Sequence, residues 1–173
     1  MTIIMKKYIS FFVTTLVLSL GFASCSVETD EPAGGTAVED MCGHWVVTVD
    51  AYDSDGELLA EDPYEMGEWN TLTYNTANND NNVMWLSDNG GEFWDYTVKV
   101  SVDYNAKTFS CDHVYMYTDD GEDQFCNIFD GKIIKNGGTN VNGKPTDAIE
   151  YKIEFTDDPG TVYFVHGVRY AGF

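Results

Sequence analysis

Three imidazoles, His44, His113 and His166, are the sequence's whole histidine supply and bound its acid-base chemistry near neutral pH. A hydrolytic serine would need one of them as its base, commonly at a strained G-x-S-x-G turn, and the sequence lacks that pattern. Alternation along the chain groups His113 with Phe109, Cys111, Tyr115 and Tyr117, and His166 with Val162, Phe164 and Val168. Both read as hydrogen-bonded histidines of a core or pocket. His44 falls on the outward face beside Trp45. The 29 Asp and Glu residues make carboxylate pairs common by chance, so spacing nominates no glycosidase dyad. No catalytic residue is expected, and the reading leans against an enzyme.

Metal chemistry is equally thin. Asp53-Ser54-Asp55-Gly56 is similar to part of a calcium loop, but aligning Gly56 with the loop glycine puts Ala51 where the first ligand belongs. It reads as a turn. The acidic run Asp119-Asp120-Gly121-Glu122-Asp123 would attract divalent cations only weakly. Cys42, Cys111 and Cys126 lack the CxxC or Cys/His spacing of a metal site, although Cys111 and Cys126, on neighbouring predicted strands, are close enough in order to form a bridge. Neither a metal nor a cofactor is expected.

Aromatic side chains are the remaining resource. Trp85, Trp94, Tyr96, Tyr115, Tyr117 and Phe164 fall on predicted strands, and with His113 and His166 they are the candidate ligand-binding residues. Facing inward they would either line an apolar cavity or simply fill it. Facing outward, their rings would stack on sugars.

Strands must position these rings. Trp94, Tyr96, Val98, Val100, Val102 and Tyr104 alternate with Asp95, Thr97, Lys99, Ser101 and Asp103, a period of two that no helix produces. Ile149, Tyr151, Ile153 and Phe155 repeat it against Glu150, Lys152 and Glu154, as do Trp45, Val47 and Val49 near the start. Further strands are expected around 69–76, 82–87, 108–118, 125–135 and 161–170. Turns are expected at 53–56, 78–82, 88–91, 119–121, Asn136-Gly137-Gly138 and 157–160. That makes eight strands, or nine if Asp130-Gly131 folds 125–135 into a hairpin. The fold class is all-β, an antiparallel up-and-down barrel, with a sandwich as the other architecture short connections allow.

A length of 173 residues, 43% hydrophobic and 14% aromatic, suits one packed domain and excludes a disordered acidic chain. The formal net charge of −20 excludes nucleic acid as a default partner. Residues 1–24 carry Lys6 and Lys7, an apolar run of about 15 residues and then Ala23-Ser24, the pattern of a secretory leader too short to span a bilayer. Phe22-Ala23-Ser24-Cys25 resembles the bacterial lipobox, which implies acylation of Cys25 and cleavage before it. Losing Lys6 and Lys7 with no acid takes the net charge from −20 to −22, so acyl chains rather than charge would hold the protein at a membrane. The expected organisation is a leader at 1–24, an acylated Cys25 with a flexible tether to residue 40, and a barrel over 41–173. The acids after Cys25 are similar to those of surface-exported lipoproteins, and a plain linker facing the periplasm fits them equally. The expected location is the outer membrane, periplasmic or surface-facing.

Gly43-His44-Trp45 at the first strand and Arg169 in the last resemble the calycin and lipocalin arrangement, in which an Arg from the closing strand covers the indole of a Gly-x-Trp. Six segments extend the resemblance: residues 35–41, Glu61-Asp62-Pro63-Tyr64, residues 72–78, Asp157-Asp158-Pro159-Gly160-Thr161, Gly43-His44-Trp45 itself and the ending 167–173. Together they are similar to the Bacteroidetes lipoprotein family of lipid-binding putative hydrolases. The resemblance implies a lipocalin-like (calycin) barrel, gives Gly43, Trp45 and Arg169 a structural role, and supplies no catalytic motif. It makes a lipid or other small apolar molecule the expected partner, with a glycan-binding lipoprotein or a hydrolase of lipid-like esters as the alternatives.

Overall fold

The computed structural model describes residues 35–118 and 124–172. The leader 1–24, Cys25, the first part of the tether, the acidic run 119–123 and Phe173 lie outside the described residues.

Among the described residues, nine strands follow a 3-10 turn at Glu39–Met41: β1 (Gly43–Asp53), β2 (Leu58–Glu61), β3 (Trp69–Asn75), β4 (Val83–Asp88), β5 (Thr97–Asp103), β6 (Thr108–Tyr115), β7 (Phe125–Thr139), β8 (Pro145–Phe155) and β9 (Thr161–Arg169). Each of β3 to β8 pairs antiparallel with the next, and β1 pairs with both β3 and β9. Eight strands therefore close into an up-and-down barrel with no free edge. The ninth, β2, continues the ladder on the half of β1 that β3 leaves open, pairing Asp50 with Glu61 and Ala51 with Ala60. Its residues Leu58-Leu59-Ala60-Glu61 do not alternate and are largely exposed, so the sequence pattern gave it no signal.

Alternation sets the interior. Trp45, Val47 and Val49 of β1, Val98 and Val100 of β5, and Ile149, Tyr151, Ile153 and Phe155 of β8 are all buried in one core. At about 25 cal/mol per Å² of apolar surface these side chains supply most of the driving force for closure. The candidate hairpin in 125–135 is instead one long bent strand. Asp130 takes φ 54° and the β7–β8 register shifts between Phe129 and Lys132, which turns the strand without ending it.

Three sequence expectations are corrected by local geometry. Asn136-Gly137-Gly138 is not a turn but a second irregularity inside β7, and the chain reverses at Asn140, whose N–H and C=O meet Lys144 and Gly143. In β6 the register shifts between Cys111 and Val114, and His113 sits at φ 46°. This bulge reverses the faces, so Phe109 is buried while His113, Tyr115 and Tyr117 point outward and Met116 points in. In β9 the inward residues are Tyr163 and Val165, so Val162, Phe164 and His166 line the outside. His113 and His166 are therefore exterior histidines, not core ones.

One end of the barrel is sealed by Val38 and Met41, both fully buried. The Trp45 indole N–H donates to Thr73 Oγ1 at 2.8 Å, and that hydroxyl donates to the Met41 carbonyl at 2.6 Å. Arg169, directly opposite Trp45 in the β1–β9 ladder, places its guanidinium carbon 4.6 Å from the indole centroid and donates to the Cys42 carbonyl at 2.6 Å. A Cβ at Gly43 would lie 2.8 Å from Arg169 Nη1 and 3.1 Å from the Trp45 ring, so only glycine lets this stack close.

Candidate ligand-binding site

The interior is packed rather than hollow. Trp45, Trp69, Tyr96, Tyr151, Phe155, Met84 and Met116 are among the fully buried side chains that fill it. Tyr96 and Tyr151 meet across the barrel with hydroxyls 2.6 Å apart, and burial raises both phenols above their ordinary pKa. Asp88, at the inner end of β4, accepts the N–H groups of Phe93 and Trp94 on Oδ2 at 2.9 and 2.8 Å. Burial raises its carboxyl pKa despite those two donors. The Cys111 and Cys126 thiols share a hydrogen bond between β6 and β7, which lowers the pKa of Cys111 and raises that of Cys126.

Aromatic rings close the end opposite Trp45. Trp94 stacks on Phe155 at 4.3 Å with planes 6° apart, and Phe93 packs edge-on against Tyr163 at 5.2 Å. Tyr163 donates to Asp158 at 2.6 Å, and its oxygen lies 2.6 Å from the hydroxyl of Tyr64, which comes from the segment after β2.

Concave surface lies outside the barrel, where the bend in β7 lifts the sheet. One concavity of about 460 Å³ is lined by Tyr52, Phe129, Lys152, Glu154, Val162 and Phe164. A second, of about 800 Å³, includes Ser101, Ser110, Lys132, Glu150, Lys152 and Phe164. Lys152 and Phe164 belong to both, so the two form one groove with an apolar and a polar end. At the polar end Lys132 pairs with Glu150 and Lys152 with Asp130, each at 3.0 Å. Lys152 also holds its ammonium 5.7 Å from the Phe129 ring. Phe164 stacks on His166 at 5.0 Å.

A second exterior feature is a row of rings. Tyr74 and Trp85 stack at 6.4 Å, Trp85 meets Tyr117 edge-on at 5.6 Å, Tyr117 meets Tyr115 at 5.3 Å, and Tyr115 meets Phe125 at 5.8 Å. His113 ends the row, stacked on Phe125 at 4.5 Å. The eight candidate ligand residues thus divide three ways. Trp94 and Tyr96 belong to the barrel's inside and mouth, Trp85, Tyr115, Tyr117 and His113 to the outer row, and Phe164 and His166 to the groove side. Tyr52, Phe129 and Lys152 of the groove escaped the sequence reading, whereas Val162 was grouped there with Phe164 and His166. A ring or branched residue on the face assigned to solvent was the available signal, as at Phe129 beside Ile128.

For acid-base chemistry the relevant contact is His166 Nε2, which lies 3.3 Å from Asp50 Oδ2 and 3.5 Å from Thr48 Oγ1. Acid and hydroxyl meet the same ring nitrogen, whereas a catalytic triad places them on opposite nitrogens. His44 Nε2 is 2.7 Å from Asn70 Oδ1, and its ring stacks on Tyr170 at 4.8 Å.

The model of a family described as lipid-binding putative hydrolase matches residues 30–173. No curated protein matches the chain.

Proposed function

The chain belongs to the family of lipid-binding putative hydrolases, and from that membership we propose that its barrel binds a small hydrophobic or amphipathic lipid in the exterior groove around Phe164, without turning it over. The observation that carries this is the filled interior beside an open exterior groove. With Tyr96, Tyr151 and their neighbours occupying the barrel's inside, an apolar concavity open to a ligand is the exterior one walled by Tyr52, Phe129, Val162 and Phe164. Its volume of about 460 Å³ falls within the usual range of about 300–1,000 Å³ for small-molecule sites. An acyl chain would lie against those rings, and its head group would reach the paired charges of Lys132, Glu150, Lys152 and Asp130. Both signs of charge at that end favour a zwitterionic or neutral head over a strongly anionic one.

Anchoring belongs to the same proposal. The leader, the Phe22-Ala23-Ser24-Cys25 sequence and the acidic net charge support a lipoprotein acylated at Cys25 and held at the outer membrane, facing the periplasm or the cell surface. That would keep the groove beside its ligand's source.

The test uses residues 26–173, which contain every described strand of the closed barrel. Mass spectrometry should find co-purifying lipid, and a fluorescent fatty acid should bind with an affinity that Phe164→Ala weakens at least about fivefold. Nitrophenyl esters should show no turnover. Multiple turnovers abolished by His166→Ala or His113→Ala would replace binding with hydrolysis.

A further inference from the structure

From a feature independent of the groove, we infer that the outer aromatic row is a second binding site, one that takes neutral polysaccharide. Tyr74, Trp85, Tyr117, Tyr115 and Phe125 run in unbroken ring-to-ring contact across the outside of β3, β4, β6 and β7. None is fully buried, and Tyr117 and Tyr74 stand 57% and 38% exposed. These rings stand on the outer face of the barrel, outside the buried core. They form a contiguous apolar strip of the kind that marks an interaction site.

The backbone is bent to make this strip. His113 holds φ 46°, a conformation unfavourable for a residue with a Cβ, and that bulge is what turns Tyr115 and Tyr117 from the inner face to the outer one. Without it, the alternation from Phe109 would bury them.

Sugar is the occupant that fits. The electron-rich faces of aromatic rings attract the partly positive C–H edges of a pyranose, and a row of rings engages successive sugars of a chain. Hydroxyls run alongside, with Ser87 Oγ 2.8 Å from Thr97 Oγ1. These groups can exchange partners with sugar hydroxyls. Charge selects among polymers. With a net −20, the protein repels nucleic acid, anionic lipid surfaces and uronic-acid polymers, whereas a neutral glycan incurs no such cost. Lys99, 4.9 Å over the Trp85 ring, leaves a donor at the centre of the row.

Residues 26–173 would be run by native affinity electrophoresis through hydroxyethylcellulose, galactomannan, soluble starch and, as the anionic control, polygalacturonate. At least one neutral polymer should retard the protein. Trp85→Ala and Tyr117→Ala should each weaken that retardation about fivefold to tenfold, with circular dichroism unchanged because both rings lie outside the core. Phe164→Ala should leave it intact, which separates this site from the lipid groove. Retardation by none of the neutral polymers, retardation by polygalacturonate alone, or retardation unchanged in both row variants would overturn the inference.

Discussion

Arg169→Ala removes the clasp between the first and last strands, and its cost follows from three contacts. The guanidinium stacks on Trp45 at 4.6 Å, a cation–π contact of about 1–2 kcal/mol for a partly desolvated pair. It donates to the Cys42 carbonyl at 2.6 Å, a charge-assisted bond of about 1.5–3 kcal/mol. It lies 3.4 Å from Asp147, a long, partly exposed pairing that adds little. These contacts are not additive, and about 3 kcal/mol is the expected loss. A domain of this size loses roughly 4 °C of Tm per kcal/mol, so the melt should fall by about 12 °C. Arg169→Lys should recover about half, because an ammonium keeps one donor and the charge but cannot lie flat on an indole. Thermal melts of residues 26–173 followed by circular dichroism measure both. An Arg169→Ala melt within about 2 °C of wild type, or full recovery by lysine, would refute the reasoning that the stacked guanidinium fastens the barrel.

Asp88 should make stability fall as pH rises. Its folded pKa lies above the unfolded value, so its contribution is fully present below about pH 4 and is lost as pH climbs through the folded pKa. Asp88→Asn, which keeps an oxygen for the Phe93 and Trp94 N–H groups, should flatten that dependence in denaturant titrations at several pH values; an unchanged slope would count against it. Tyr151→Phe strands the Tyr96 hydroxyl in the core at a cost of about 1–3 kcal/mol. The Tyr96→Phe/Tyr151→Phe double variant should be less destabilised than the sum of the single variants, and strict additivity in urea unfolding would contradict the pairing. Labelled palmitate should enter the expressed full-length protein and be absent from Cys25→Ala, whereas a membrane-bound but unlabelled wild type would remove the anchor.

Much of the barrel was legible because strands with one wet face carry their orientation in their own residues. Lys99, Ser101 and Asp103 can only face out, so Val98 and Val100 must face in. β9 carries no such asymmetry. Val162, Phe164 and Val168 are as apolar as Tyr163 and Val165, and only pairing with β1 and β8 decides which set is enclosed. β6 failed for a different reason. One residue in the left-handed region reversed every face beyond it, and nothing in Asp112-His113 announces a bulge as a glycine would. The groove was hard to see because it depends on how a bent β7 stands against its neighbours, whereas Trp85, Tyr115 and Tyr117 of the outer row were in view with both the inward and the outward side left open, and alternation from Phe109 pointed the two tyrosines inward.

The β1–β9 ladder has a kinetic consequence. Residues 45–53 pair with residues 161–169, so the contacts that close the barrel join the two ends of the domain. Loop-closure entropy must be overcome across almost the whole sequence before those contacts form, which places folding among the slow, high-contact-order cases. Until β9 arrives, β1 and β8 each present an unpaired edge able to capture another chain. A chain arrested anywhere before Thr161 has no closed state available to it, and its sheet keeps open edges until the final strand docks.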